Sequence, residues 1–225
     1  MKALIYQVLI VALLLAVQKH HSFAIDTKII PQSIQDIISK LRPIKVGLLR
    51  RDEIDKLKKA EGISLLLMDI VQTSYKKVTD DPEYSDVAET VLMVLHARGD
   101  LTENDLKWIR DTLEDQLKIP TTRQNNYLIP YKEDGLIILS KYPSQANEDI
   151  LIKYLQPEGD ASYHSFGMWA SESLADIGTA KAIPALEAFK KTCSPESSGY
   201  EQATNAILKI QEREQQKSKS ESTKK

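Results

Sequence analysis

One cysteine in 225 residues excludes an internal disulfide, so packing alone must stabilise the fold. Eight glycines and nine prolines are too few for a loop-rich chain, and no run alternates apolar and polar residues with the period of a strand. Basic residues do not exceed acidic ones (30 against 32), which argues against nucleic acid as a partner. Of the four histidines, His20 and His21 fall in a leader-like segment. His96 and His164 are then too few for most catalytic metal sites, and no cofactor is expected. The Gly-x-Ser-x-Gly elbow and the Gly-rich phosphate loop are both missing. So is any Asn-x-Ser/Thr acceptor after residue 24. These absences disfavour the common hydrolase, nucleotide and metal chemistries.

What is present begins with residues 1–24, MKALIYQVLIVALLLAVQKHHSFA. Lys2 precedes an apolar run from Ala3 to Val17, and Ser22-Phe23-Ala24 places small residues where a signal peptidase reads. The expectation is an export signal cleaved after Ala24, giving a periplasmic or secreted protein. The apolar run falls short of the roughly 20 residues that span a bilayer, so no stable membrane span should remain after cleavage. Losing Lys2 and Lys19 leaves 28 basic against 32 acidic residues, a net charge of −4.

Beyond the leader the apolar residues recur at helical spacing. Pro31-Gln32-Ser33 opens a helix carrying Ile34, Ile37, Ile38 and Leu41. Arg51 to Glu61 is a charged helix ended by Gly62, and Ile63 to Val78 has a broader apolar face. Asp81 with Pro82 reads as the start of a helix that stops at Arg98-Gly99. Thr102 to Asp105 reads as a capping box for a helix reaching Pro120. The second half pairs Gly135–Tyr142 with Asp149–Leu155, then Ser162–Ile177 with Ile183–Thr192, and starts a further unit at Tyr200. From Glu212 the polar, charge-alternating sequence predicts a disordered tail over 213–225.

The second half also repeats. Ala170, Leu174 and Ile177 recur 33 residues later as Ala203, Ile207 and Ile210, and 35 residues earlier as Gly135, Leu139 and Tyr142. A period in this range marks stacked helical units, each too thin to bury its own apolar stripe. Leu174, Ile177, Gly178, Ala182, Ile183, Pro184, Ala185 and Leu186 follow an Ile-Gly turn and Ile-Pro-x-Leu pattern. In this LADIGTAKAIPALEAF resembles one HEAT-like repeat of the short bacterial type also found in phycobilin lyases. The resemblance covers roughly residues 133–212 and departs from the pattern at Thr179-Ala180-Lys181, where the usual charged residue is displaced. It implies an all-α fold, an α-α superhelix of the armadillo-like kind, with residues 25–120 as degenerate repeats or a helical cap.

The resemblance implies architecture and no chemistry, because such repeats serve unrelated tasks. Repeat-built di-iron hydroxylases carry paired His-Glu dipeptides, and here His96 precedes Ala97 and His164 precedes Ser165. Bilin attachment takes place inside the cell, at odds with an export signal. The segment from Asp160 to Ser165 holds triad residue types and reads as a helix start. Cys193, at a predicted helix end, reads as a structural or semi-exposed thiol. Aromatic side chains are the remaining candidates for binding a protein partner: Trp108, Trp169, Tyr127 and Tyr131. The leading expectation is a non-catalytic exported repeat protein with a concave partner-binding surface. The alternatives are an enzyme, or an accessory domain of one, with a pocket where the N-terminal helices meet the repeats, and a structural envelope component.

Overall fold

A computed structural model describes residues 30–41, 49, 51–119, 122–156 and 166–222. The export-signal segment, and the stretch containing Asp160, Ser162 and His164, lie outside the described residues. The chain divides into two units, Met1–Gln32 and Ser33–Lys225, and the architecture that follows belongs to the second. The described elements are all helical, and the fold is all-α. In order they are α1 (Gln32–Lys40), α2 (Arg51–Lys59), α3 (Ser64–Lys77), α4 (Tyr84–Arg98), α5 (Glu103–Gln116), α6 (Ile129–Leu139), α7 (Gln145–Lys153), α8 (Phe166–Ile177), α9 (Ile183–Thr192) and α10 (Ser198–Ser222). Short 3₁₀ segments, Arg123–Leu128 and Ala180–Ala182, lead into α6 and α9.

The local chemistry at the helix ends follows the sequence closely at some points and departs from it at others. Gly62 and Gly99 adopt φ of +72°, the left-handed stop that favours glycine. Thr102 and Asp105 form the full capping box: the Asp105 amide donates to Thr102 Oγ1, and the Thr102 amide donates to Asp105 Oδ2. By contrast α4 begins at Tyr84, two residues after the expected first position. Asp81 Oδ1 accepts the Glu83 amide and closes a turn ahead of the helix. Helix α6 begins at Ile129, earlier than expected, with Pro130 in its first turn. Helix α10 runs to Ser222, through the segment where the composition predicts disorder, with Lys217 paired to Glu214 at 2.8 Å.

Two rows of helices emerge from the packing. Helices α2, α4, α6, α8 and α10 each lie against the next in that order. Helices α3, α5, α7 and α9 pack beside them, α3 on α4, α5 on α6, α7 on α8 and α9 on α10. Most of the repeated positions sit in the contacts of the first row: Ala170, Leu174, Gly135, Leu139, Ala203, Ile207 and Ile210 are buried, whereas Ile177 and Tyr142 are only half-buried. The sequence groups α8 with α9 across Gly178, whereas α9 shares its longer contact with α10 and meets α8 where Phe189 lies over Gly167. Gly178 is required for space. A Cβ there would stand 2.6 Å from the Leu174 carbonyl oxygen and 2.9 Å from Ile210 Cδ1.

Long polar side chains fix the register of the rows. Arg98, on α4, donates to the Leu57 carbonyl at 2.9 Å and to that of Ala60, satisfying carbonyls at the end of α2. Arg213, on α10, does the same for α8, donating to Gly178 O at 2.7 Å and to Ala175 O. Lys141, just past α6, donates to His96 O near the end of α4 at 2.6 Å. Each cation also sits at the negative end of a helix dipole. Glu148 is 4% exposed and accepts from the Thr179 amide at 2.7 Å and from Thr179 Oγ1 at 2.8 Å. It thereby pins the turn after α8 to α7.

Candidate functional site

Two of the four aromatic candidates meet at one place, a third lies near them, and the fourth stands elsewhere. Tyr75, on α3, makes edge contacts with Trp108 of α5 (ring centroids 5.9 Å apart) and with Tyr131 of α6 (5.1 Å). Tyr127, in the 3₁₀ lead-in to α6, lies near enough to Tyr75 to influence its ionisation. Trp169 is half-buried on α8 and is not part of this cluster.

The cluster is filled by its own members. Leu92, Trp108, Ile109, Thr112, Tyr131 and Gly135 enclose a cavity of only about 10 Å³, room for about one water molecule. This lies where the N-terminal helices meet the second half of the chain, the region in which an enzyme pocket was an alternative expectation. Tyr131 is 2% exposed, so the expectation that it anchors a partner at the surface is corrected: α3, α5 and α6 enclose its ring. Trp108 and Tyr127 remain half-exposed.

Two polar groups are buried in this neighbourhood without hydrogen bonds, the Tyr131 hydroxyl and the side-chain amide of Gln116. Burial raises the Tyr131 and Tyr75 phenols above their usual value. The Gln116 amide offsets part of the rise at Tyr75 without reaching hydrogen-bond geometry.

A second feature lies on the solvent side of the α4–α6–α8 row, where each helix shows one narrow stripe to water. On α4 the stripe is Asp86, Glu89 and Met93, and Met93 is 39% exposed. On α6 it is Glu133, Asp134 and Ile137, all half-exposed. On α8 it is Trp169, Glu172 and Asp176. The stripes follow from the i, i+3, i+4, i+7 spacing of residues that the core does not claim. Lys141, four residues after Ile137 and just past α6, continues the α6 stripe, and Lys209 of α10 approaches Asp176 at 3.8 Å. Burial pushes the Asp134 carboxyl up to about 7, and the negative charges of Glu89 across the row and Glu133 beside it push the same way.

That carboxyl makes stability depend on pH. Its folded-state value lies above the ordinary 3.8. The folded protein therefore holds the proton more tightly than the unfolded chain, and stability falls as pH rises from about 4 to about 7. Asp134→Asn should raise stability by roughly 1–3 kcal/mol at pH 8 and give no gain at pH 4. Thermal unfolding of both proteins across that range checks this, and a gain present at pH 4 as well would contradict it.

Ion pairs are also frequent on the other row. On and around α5 and α7 the acids are paired: Lys107 with Asp111 at 2.5 Å, Lys118 with Asp115 at 3.0 Å, Lys153 with Glu114, and Lys181 with Asp149 at 2.5 Å. Sequence reading treats carboxylates as helix starts and solvated faces. The acidic stripes become visible only when each helix is read at its own exposed positions.

The other candidate chemical groups remain dispersed. His96, on α4, has its pKa lowered by burial and then by the charges of Lys141 and Lys58. Among the described residues no three His, Cys, Asp or Glu side chains are grouped to hold a metal ion. Cys193 is a half-buried thiol at the end of α9. No described helix is long and apolar enough to cross a membrane. No family model, curated protein or solved structure matches the chain.

Proposed function

We propose that this chain is an exported, non-catalytic helical-repeat protein of the HEAT-like kind that binds a protein partner through the concave face of an α-α superhelix. The observation that carries the reading is the two-row order of the helices. In a curved stack the inner helices lie closer together than the outer ones. Helices α4, α6, α8 and α10 are closely packed in sequence, whereas in the other row only α5 and α7 make comparable contact, and a smaller one. This supports α4, α6, α8 and α10 as the inner, concave row.

The same arrangement bears on the candidate aromatics. Trp169 stands on a stripe of the inner row, while Trp108 and Tyr127 belong to the α3–α5–α6 cluster. The concave face is thus the broad surface offered to a partner, and a half-exposed tryptophan on it suits an anchor. Export fits the apolar leader with its small residues before Ile25.

Affinity capture with the mature chain, starting at Ile25, from its native compartment tests the reading. A reproducible protein partner is expected, together with a native N-terminus at Ile25. Recovery of no partner, or a native chain that keeps Met1, would contradict it.

A further inference from the structure

Around Tyr75 three helices bring together neutral polar groups that have little to bond. The side-chain amide of Gln116, on α5, is wholly buried, and so is the Tyr131 hydroxyl of α6. Neither has a hydrogen bond among the described residues. The Tyr75 phenol of α3 stands beside the Gln116 amide and within electrostatic reach of Tyr127. Native folds seldom leave a buried carboxamide without a donor and an acceptor, so two unmet groups in one neighbourhood point to an occupant. Tyr131 and Thr112 also line the cavity between α4, α5 and α6, which has room for about one water-sized group. Gln116 follows Thr112 by one turn on the same face of α5.

The chemistry of these groups limits that occupant. Gln116 Oε1 needs a donor and Nε2 an acceptor, so a group that only donates or only accepts leaves one of them unmet. A hydroxyl does both and matches the size of the cavity, whereas a carboxamide is larger. No Lys, Arg, Asp or Glu lines the cavity, so a charged head would lose its hydration with no counter-ion. Asp115, which acts on Tyr75, is a surface carboxylate paired with Lys118 at 3.0 Å. Outside the cavity Trp108 and Tyr127 are half-exposed, and Trp108 packs edge-on against Tyr75. Such rings offer contact area to an apolar body joined to the hydroxyl.

We infer that the α3–α5–α6 cluster binds a small neutral molecule carrying a hydroxyl group on an apolar body. The hydroxyl enters the cavity and bonds Tyr131 and Gln116, and the body lies on Trp108 and Tyr127. The site is separate from the face proposed above to bind a protein, so partner capture and the test below can fail independently.

Cyclohexanol is the probe, with cyclohexylamine and cyclohexanecarboxylate as charged counterparts of the same body. Fluorescence is read in the mature chain carrying Trp169→Phe, which leaves Trp108 as the only tryptophan. Cyclohexanol is expected to change the Trp108 emission saturably, and the two charged compounds to bind far more weakly. Tyr131→Phe and Gln116→Leu should each lose about tenfold or more in affinity for cyclohexanol. Without the probe, Tyr131→Phe should melt within about 2 °C of its parent or above it, because it removes a hydroxyl that has no partner. Should Gln116→Leu fail to fold, Tyr131→Phe alone decides. Water can fill the same cavity, and water as the sole occupant would show as no saturable response to cyclohexanol. That result, an equal response to all three compounds, or unchanged affinity in Tyr131→Phe would overturn the inference.

Discussion

Replacing Arg98 with alanine is expected to lower stability by about 3 kcal/mol, a large share of the roughly 5–15 kcal/mol that holds a domain together. The guanidinium is nearly enclosed and bridges several groups at once. It donates to Leu57 O, Ala60 O and Ser64 Oγ, and it pairs with Asp100 at 2.6 Å. Alanine would strand carbonyls at the end of α2 that water reaches poorly, and an unsatisfied buried acceptor costs about 1–3 kcal/mol. The Asp100 contact contributes least, because that carboxylate is 46% exposed. Arg98→Lys should recover only part of the loss, since an ammonium cannot span carbonyls and carboxylate in one plane. Thermal unfolding should show a melting temperature roughly 6–12 °C lower for Arg98→Ala. A shift under about 2 °C would mean that the α2 carbonyls find other donors.

Gly167→Val should be damaging for the opposite reason, too little space. A Cβ at Gly167 would stand 2.3 Å from Phe189 Cε2 and 2.6 Å from Cζ. Phe189 has no easy retreat. It is buried, and its ring is also 3.4 Å from the position a Cβ would take on Gly199. A glycine replaced within a helix ordinarily gains up to about 1 kcal/mol in backbone propensity, and less for a β-branched residue. Overpacking at this site costs about 3 kcal/mol and outweighs that gain. The discriminating measurement is a second substitution. Phe189→Leu destabilises the native chain yet should restore part of the stability of Gly167→Val, because it vacates the clashing ring edge. Purely additive effects would show that the loss at Gly167 has another origin.

These two sites mark where sequence reading succeeds and where it stops. Helical period, the Gly62 and Gly99 stops and the Thr102–Asp105 box act within a turn or two of chain, so they can be read directly. The repeat of Ala170, Leu174 and Ile177 predicts buried positions in successive layers, and Ala203, Ile207 and Ile210 are buried accordingly. Arg98 and Arg213 are different, for each bonds carbonyls more than 30 residues away. In sequence they are merely basic residues on helices. Gly167 and Gly199 likewise show no turn signal, because their purpose is to admit Phe189 from another helix. The tail after Glu212 looks disordered by composition, yet Arg213 is held by α8 carbonyls and α10 continues through it.

The candidate aromatics show the same limit. Trp108, Tyr127 and Tyr131 look alike in sequence as large rings available to a partner. Their separation into an enclosed Tyr131 and half-exposed Trp108 and Tyr127 depends on Tyr75, which α3 brings to the cluster. The acidic stripes, by contrast, consist of ordinary surface residues whose alignment across α4, α6 and α8 exists only once the row is stacked.

Site-specific photo-crosslinking in the native compartment tests the central claim most directly. A photoreactive amino acid is placed at Met93 on the inner row in one strain and at Asp111 on the outer row in another. A discrete partner adduct is expected from position 93 and none from position 111. Adducts from position 111 alone, or from neither position, would contradict it.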